Sequence, residues 1–251
     1  MATPILSRNP NFAGNGNNAD IAYDQDSRIT VEGVVVKSVV SFAVLLATAA
    51  LGWMLVPAAT APVLALGLLG GFVLGLVNSF KREPSPALIL AYAGFEGLLL
   101  GGISHFFEAS YHGVVLQAVL GTFVVAGIVL GLFSFAGLRA TARATKIWLV
   151  ATLGYVLFSL VNVLLMVTGV VHDPYGLSGS VTFFGVPLGI VLDLFAVVLA
   201  SYALVSDFTH VERAVQLGVD ERYGWTAAFG IMVSLVWLYL EILRILGLSR
   251  R

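Results

Sequence analysis

Four acidic side chains stand inside otherwise apolar runs of this chain: Glu96, Asp193, Asp207 and Glu241. An ionised carboxylate in hydrocarbon is costly, about +2.5 to +3.5 kcal/mol for Asp at a helix centre on insertion scales, so such residues normally serve a function. Burial disfavours the charged form and a neighbouring carboxylate disfavours it further, so two facing acids can hold one proton between them near neutral pH. A shared proton responds to pH and yields to a cation. The alternative for each acid is a neutral carboxyl bonded to a facing backbone carbonyl, or an ion pair such as Glu241 with Arg244 one helical turn on. Asp193 and Asp207 are nearly four turns apart, about 21 Å along one face of a helix, so a polar track along that face is geometrically possible.

Other reactive residue types form weaker patterns. Gly102-Ile103-Ser104-His105 resembles the serine motif of intramembrane proteases, but no histidine on a second helix stands at a matching depth. His112, His172 and His210 fall in or beside loops without metal-ligand spacing such as H-E-x-x-H, and no Walker or dinucleotide glycine motif is present. With no cysteine in the chain, disulfides, thiolate chemistry and cysteine-ligated metals are excluded. These observations predict a protein that is not an enzyme, holds no cofactor and binds no nucleic acid.

The elements that carry the acids are membrane helices. The chain of 251 residues is 59% hydrophobic and 11% charged, with a mean hydropathy of +0.96. A water-exposed surface needs roughly 25% charged residues, so the lipid bilayer is the expected solvent and partner. Apolar runs of about 20 residues, each enough to cross about 30 Å, predict an all-α integral membrane protein and argue against the short alternating strands of a β-barrel. Seven spans are predicted, at roughly Val34–Val56, Ala58–Phe80, Pro86–Phe106, Val114–Phe135, Ile147–Val170, Phe183–Ser206 or beyond, and Gly224–Gly247. Pro57 and Pro62 punctuate the first hairpin, Pro84 and Pro86 open the third span, and Asp173-Pro174-Tyr175-Gly176 marks a turn. Residues 1–33, in which Asn11, Asn15, Asn17 and Asn18 are interleaved with Gly14 and Gly16, read as a disordered cytoplasmic tail, and residues 34–251 as the transmembrane domain. The first span is too long for a signal h-region and is expected to serve as its own signal.

Lys and Arg alternate by loop. Arg8, Arg28 and Lys37 stand at the tail, Lys81 and Arg82 follow span two, Arg139, Arg143 and Lys146 follow span four, and Arg213 and Arg222 follow span six. That places the N-terminus in the cytoplasm. The run from Arg139 to Lys146 also suits anionic headgroups. Arg250 and Arg251 are discordant: either the last segment is re-entrant, or the short C-terminal tail is an exception. Glycines such as Gly67, Gly70, Gly71, Gly75, Gly97, Gly101 and Gly102 predict close helix packing.

The last two spans carry a recognisable pattern: Leu204-Val205-Ser206-Asp207-Phe208, then Trp225-Thr226-Ala227-Ala228-Phe229-Gly230, then Leu235-Val236-Trp237-Leu238-Tyr239-Leu240-Glu241-Ile242-Leu243-Arg244. With Phe95-Glu96-Gly97 and Gln117-Ala118-Val119-Leu120-Gly121-Thr122, the chain resembles the bacterial branch of the transmembrane Bax inhibitor motif family. That resemblance implies seven helices, with six around a central hydrophobic last helix, in a bacterial plasma membrane. It also implies a pH-sensitive passive Ca²⁺ leak governed by two acids on the last two helices. Asp207 matches the first acid. Glu241 matches the second, where prokaryotic members carry Asp. The family's gating arginine matches Arg82, beside Lys81. Asp207 and Glu241 would then be transient Ca²⁺ ligands, with Ca²⁺ as permeant ion, and Glu96 and Asp193 secondary acids.

The spacing sets a condition on that pairing. Level positions on a helical hairpin require the turn near Gly224, with span six running well past Ser206, whereas a turn at Gly218 leaves the acids about 10 residues, roughly 15 Å, out of register. The alternative function is a regulatory protein that binds a membrane protease or another stress-response complex, its acids merely packing the bundle.

Overall fold

A computed structural model describes residues 28–250 except Pro174 and Phe184. Most of the expected tail lies outside the described residues. From Arg28 onward the chain is already anchored: Ile29 is buried and its N–H bonds the Val219 carbonyl at 2.7 Å. Thr30 caps the first helix, its hydroxyl accepting from the Gly33 N–H at 3.0 Å.

Seven helices follow, in an all-α membrane protein: α1 Val31–Phe80, α2 Pro86–Ser110, α3 Val114–Phe135, α4 Ala142–Val167, the short α5 Leu177–Ser180, α6 Leu188–Gln216 and α7 Gly224–Ser249. A two-residue hairpin, β1 Thr182–Phe183 with β2 Val186–Pro187, lies between α5 and α6, and a 3₁₀ turn, Glu221–Tyr223, precedes α7. Six of these helices are long and apolar enough to cross a bilayer. Their outer faces are coated with exposed apolar side chains such as Leu46, Phe72, Phe123 and Leu157, which implies contact with lipid.

Helix α1, at 50 residues, is far longer than one crossing needs. It breaks at Ala59 (φ −149°, ψ 55°), between Pro57 and Pro62. Pro62 offers no N–H to the Ala58 carbonyl and its ring collides with that turn, so the helical ladder cannot continue there. The two arms flank α2 at the same levels: a Cβ on Gly97 would overlap Leu45 and Thr48 of the first arm, and one on Gly71 of the second arm would lie 2.8 Å from Glu96. The arms therefore run antiparallel, as the prolines predict, and α1 accounts for two crossings.

Helix α2 is held by backbone proximity. A Cβ on Gly101 would collide with the Ala49 carbonyl, and one on Gly52 with the Leu98 carbonyl. In lipid, such close approach replaces the hydrophobic drive that water would supply.

Helix α7 is central. It packs against α1, α2, α3 and α6, and reaches α4 through a side-chain bond from Tyr155. Its apolar core includes Met232, Leu238 and Leu243, all fully buried. It is also continuous to Ser249, where Arg250 donates to the His112 carbonyl (2.8 Å) and to Gln117 Oε1 (2.6 Å) in the α2–α3 region. The re-entrant alternative for the last segment is thus set aside: α7 crosses the whole bundle, and Arg250 is accommodated by acceptors at the far end.

The basic loops gather at one end, called here the basic end. Lys37 Nζ donates to Glu221 Oε1 at 2.6 Å, Arg222 stands 3.8 Å from Glu83, and the backbone at Arg28 forms an antiparallel β-bridge with that at Asp220. Arg139, from the basic flank that follows α3, grips α6: its Nε and Nη2 donate to both Glu212 oxygens at 2.6 and 2.9 Å, and its guanidinium lies 3.6 Å from the Phe133 ring centroid.

Candidate functional site

Helices α6 and α7 form an antiparallel hairpin whose register decides which acids meet. Gly218 (φ +63°) takes the left-handed conformation that ends α6, and the chain turns there and through the 3₁₀ segment. Asp207 comes level with the second and third turns of α7, at Gly230 and Ser234. Ser234 Oγ donates to Asp207 Oδ2 at 2.5 Å, and Gly230 leaves room for the carboxylate, since a Cβ there would lie 2.8 Å from Oδ1. Glu241 stands two turns farther along α7, about 10 Å beyond Ser234. Its Oε1 accepts from Tyr155 Oη at 2.6 Å and Trp237 Nε1 at 2.9 Å.

The expected proton-sharing pair, Asp207 with Glu241, is therefore not formed in this structure. Helix α6 does run past Ser206, to Gln216, but the reversal at Gly218 leaves the acids out of register, the consequence foreseen for a turn at that position. Each acid has a separate environment.

Asp207 lies at the wall of a cavity of about 540 Å³ at the basic end. Lys81 and Arg82, both exposed, line that cavity together with Asn78, His210, Tyr223 and Gly230. Arg82, matched by resemblance as the gating arginine, thus shares a chamber with Asp207. Two cations and a histidine thus line the same cavity as a carboxylate that is half-buried and hydrogen-bonded to a single hydroxyl. An oxygen site at the inner wall of a chamber that also opens past two cations is suited to attracting a proton or a hard cation from that end.

Asp193 lies four turns away on α6 and is fully buried. Arg244 Nε stands 3.4 Å from its Oδ1, and Arg244 Nη2 donates to Ser178 Oγ at 3.1 Å. The arginine weighed as a partner for Glu241 on its own helix therefore pairs across to α6. Glu96 faces the second arm of α1 in a cavity of about 310 Å³, with Gly71, Gly75 and Tyr92, and joins neither of the other groups. Ser104 is buried with its hydroxyl 2.6 Å from Tyr239 Oη, while the His105 ring packs edge-on to Trp53. Among the described residues, no group of three or more His, Asp or Glu side chains is arranged to hold a metal.

The sequence and this architecture agree with a family comparison: the family described as Bax inhibitor 1 like matches residues 4–251. The chain belongs to that family. No curated protein matches the chain closely enough to add a relative. Family membership agrees with the multi-pass helical bundle.

Two contributors escaped the reading of the sequence. Ser234, the partner of Asp207, is one small hydroxyl residue in an apolar helix, a type common there for packing reasons alone. Tyr155, on a helix with little buried surface, carries no periodic signal that would point it at Glu241. The usable signal was Gly230, four residues before Ser234 and so on the same face of α7.

Proposed function

We propose that this protein is a passive cation leak of the membrane, Ca²⁺ among its permeant ions, gated from the basic end at Asp207. The observation that carries this reading is the placement of Asp207 at the inner wall of the chamber that Lys81 and Arg82 line. An ionised Asp207 draws a cation past the basic mouth, whereas a protonated one presents no charge and leaves Lys81 and Arg82 to repel it. Flux therefore falls as acidification protonates the carboxyl and rises as it ionises. His210 and Tyr223 are the other titratable groups lining the chamber, and Ser234 orients the carboxylate from α7.

The proposed gate differs from the acid pair implied by resemblance: a hydroxyl stands where a second carboxylate was expected, so one acid does the gating. The positive-inside pattern supports a cytoplasmic basic end and N-terminus, and the family resemblance supports a bacterial plasma membrane. The test is Ca²⁺ entry into dye-loaded proteoliposomes across a pH series. Asp207→Asn is expected to flatten the pH profile, and Arg82→Gln to raise flux on the acidic side. An Asp207→Asn protein with the original profile rejects the gate and favours a regulatory role through a protein partner.

A further inference from the structure

The far side of the α6–α7 hairpin carries a second group of charges that the gate does not use. Asp193 is fully buried and Glu241 is 6% exposed. Three of their four carboxylate oxygens, Asp193 Oδ1 and Oδ2 and Glu241 Oε2, are buried without a hydrogen-bond partner. Arg244 joins the two acids: it stands 3.4 Å from Asp193 across to α6 and one helical turn beyond Glu241 on α7. The other side chains bonded into the group, Tyr155, Trp237 and Ser178, are neutral. Two carboxylates against one guanidinium leave the cluster one positive charge short when both are ionised.

A buried charge left without compensation costs several kcal/mol, and a buried carboxylate oxygen without a donor adds to that. A proton on either acid would supply the charge and a single O–H donor, which serves one of these oxygens at most and leaves the others without a partner. A hard cation supplies the charge and occupies the partnerless oxygens together. Arg244 stands on the edge of a small cavity of about 180 Å³ shared with Ser159, Asn162 and Tyr175. Its contact with Asp193, at 3.4 Å, is an ion pair without a hydrogen bond, so the guanidinium is positioned to swing aside.

We infer that Asp193 and Glu241 form a second cation site, for a hard oxygen-seeking ion such as Ca²⁺, in which Arg244 is a tethered competitor for the incoming ion. It is separate from the Asp207 gate, and its existence does not depend on that gate operating. Trp237 donates to Glu241, which places an indole within a side chain's length of the site. Tb³⁺ as a Ca²⁺ surrogate would therefore give tryptophan-sensitised emission from the full chain in detergent or nanodiscs, displaced by Ca²⁺.

Glu241→Gln retains an oxygen for Tyr155 and Trp237 while removing the charge, and is expected to weaken Tb³⁺ about tenfold or more, since affinity follows the count of charged ligands. Asp193→Asn should do the same, and Asp207→Asn should leave the emission in place. Arg244→Gln should tighten binding about tenfold through loss of the internal cation. Trp237→Phe reduces the emission while Ca²⁺ still raises the thermal stability of the protein. Emission absent from the unmodified chain, or unchanged in both Glu241→Gln and Asp193→Asn, overturns the site. A compensating charge that is titrated only as a proton, with no response to Tb³⁺ or Ca²⁺, overturns it equally.

Discussion

Helix α6 carries two aspartates in opposite circumstances. Asp207, near the basic end, opens on a chamber lined by Lys81 and Arg82 and is held by one hydroxyl. Asp193 is sealed between α6 and α7, has Arg244 beside it, and shares its surroundings with Glu241. One residue type on one helix thus meets two solutions to the cost of a charge in a membrane. The first leaves the acid at the wall of an open chamber, where its state follows the solution. The second supplies a counter-charge from within, where removing either partner harms the fold. The contrast assigns exchange with the solution to the basic end and charge balance to the far end.

The largest expected effect separates the two regions by stability. Arg244→Leu strips the internal counter-ion from two buried carboxylates and should cost about 3 kcal/mol, seen as a lower midpoint in denaturation. Arg82→Leu, at an exposed position, should change stability by no more than about 0.5 kcal/mol while altering flux. Equal destabilisation by both would erase the contrast. Next in size, Ser234→Ala removes the hydroxyl that Asp207 accepts from and should cost about 1 to 2 kcal/mol, with the pH midpoint of flux displaced. Tyr155→Phe should cost about 1 kcal/mol, because Trp237 still donates to the same oxygen of Glu241. The smallest expected effect is at Gly230. Gly230→Ala crowds Asp207 Oδ1 and should shift the flux profile with little change in stability, as the carboxylate end can give way.

Much of this was legible in the chain itself. The scarcity of charge and the length of the apolar runs specify membrane helices, and Pro57 with Pro62 marks the reversal that Ala59 executes. The acids were legible because hydrocarbon penalises them, wherever they point. The family resemblance, read from the residues around Asp207 and along the last span, agrees with the family match. The register of α6 against α7 was harder to read, because it turns on whether the chain reverses near Gly218 or Gly224. A few residues of helix separate those options, and that distance decides whether Asp207 reaches Glu241 or Ser234. The pairing of Asp193 with Arg244 is a tertiary contact, and the local alternative, Arg244 with Glu241 one turn away, satisfied the sequence equally well. The closing arginines left two alternatives open for a related reason: the sequence does not show that Arg250 finds acceptors at His112 and Gln117 without the helix having to turn back.

The separation of the two acid sites is tested most directly by infrared titration of the Asp207 carboxyl. Its C=O band is assigned by its loss in Asp207→Asn and then followed with pH in the unmodified chain and in Glu241→Gln. Two acids that share a proton titrate as a unit and displace one another by more than about one pH unit. The structure described here predicts that the Asp207 band keeps its position and its midpoint when Glu241 is neutralised. A midpoint that moves by about a unit or more on Glu241→Gln would show the two carboxyls coupled and contradict the separation.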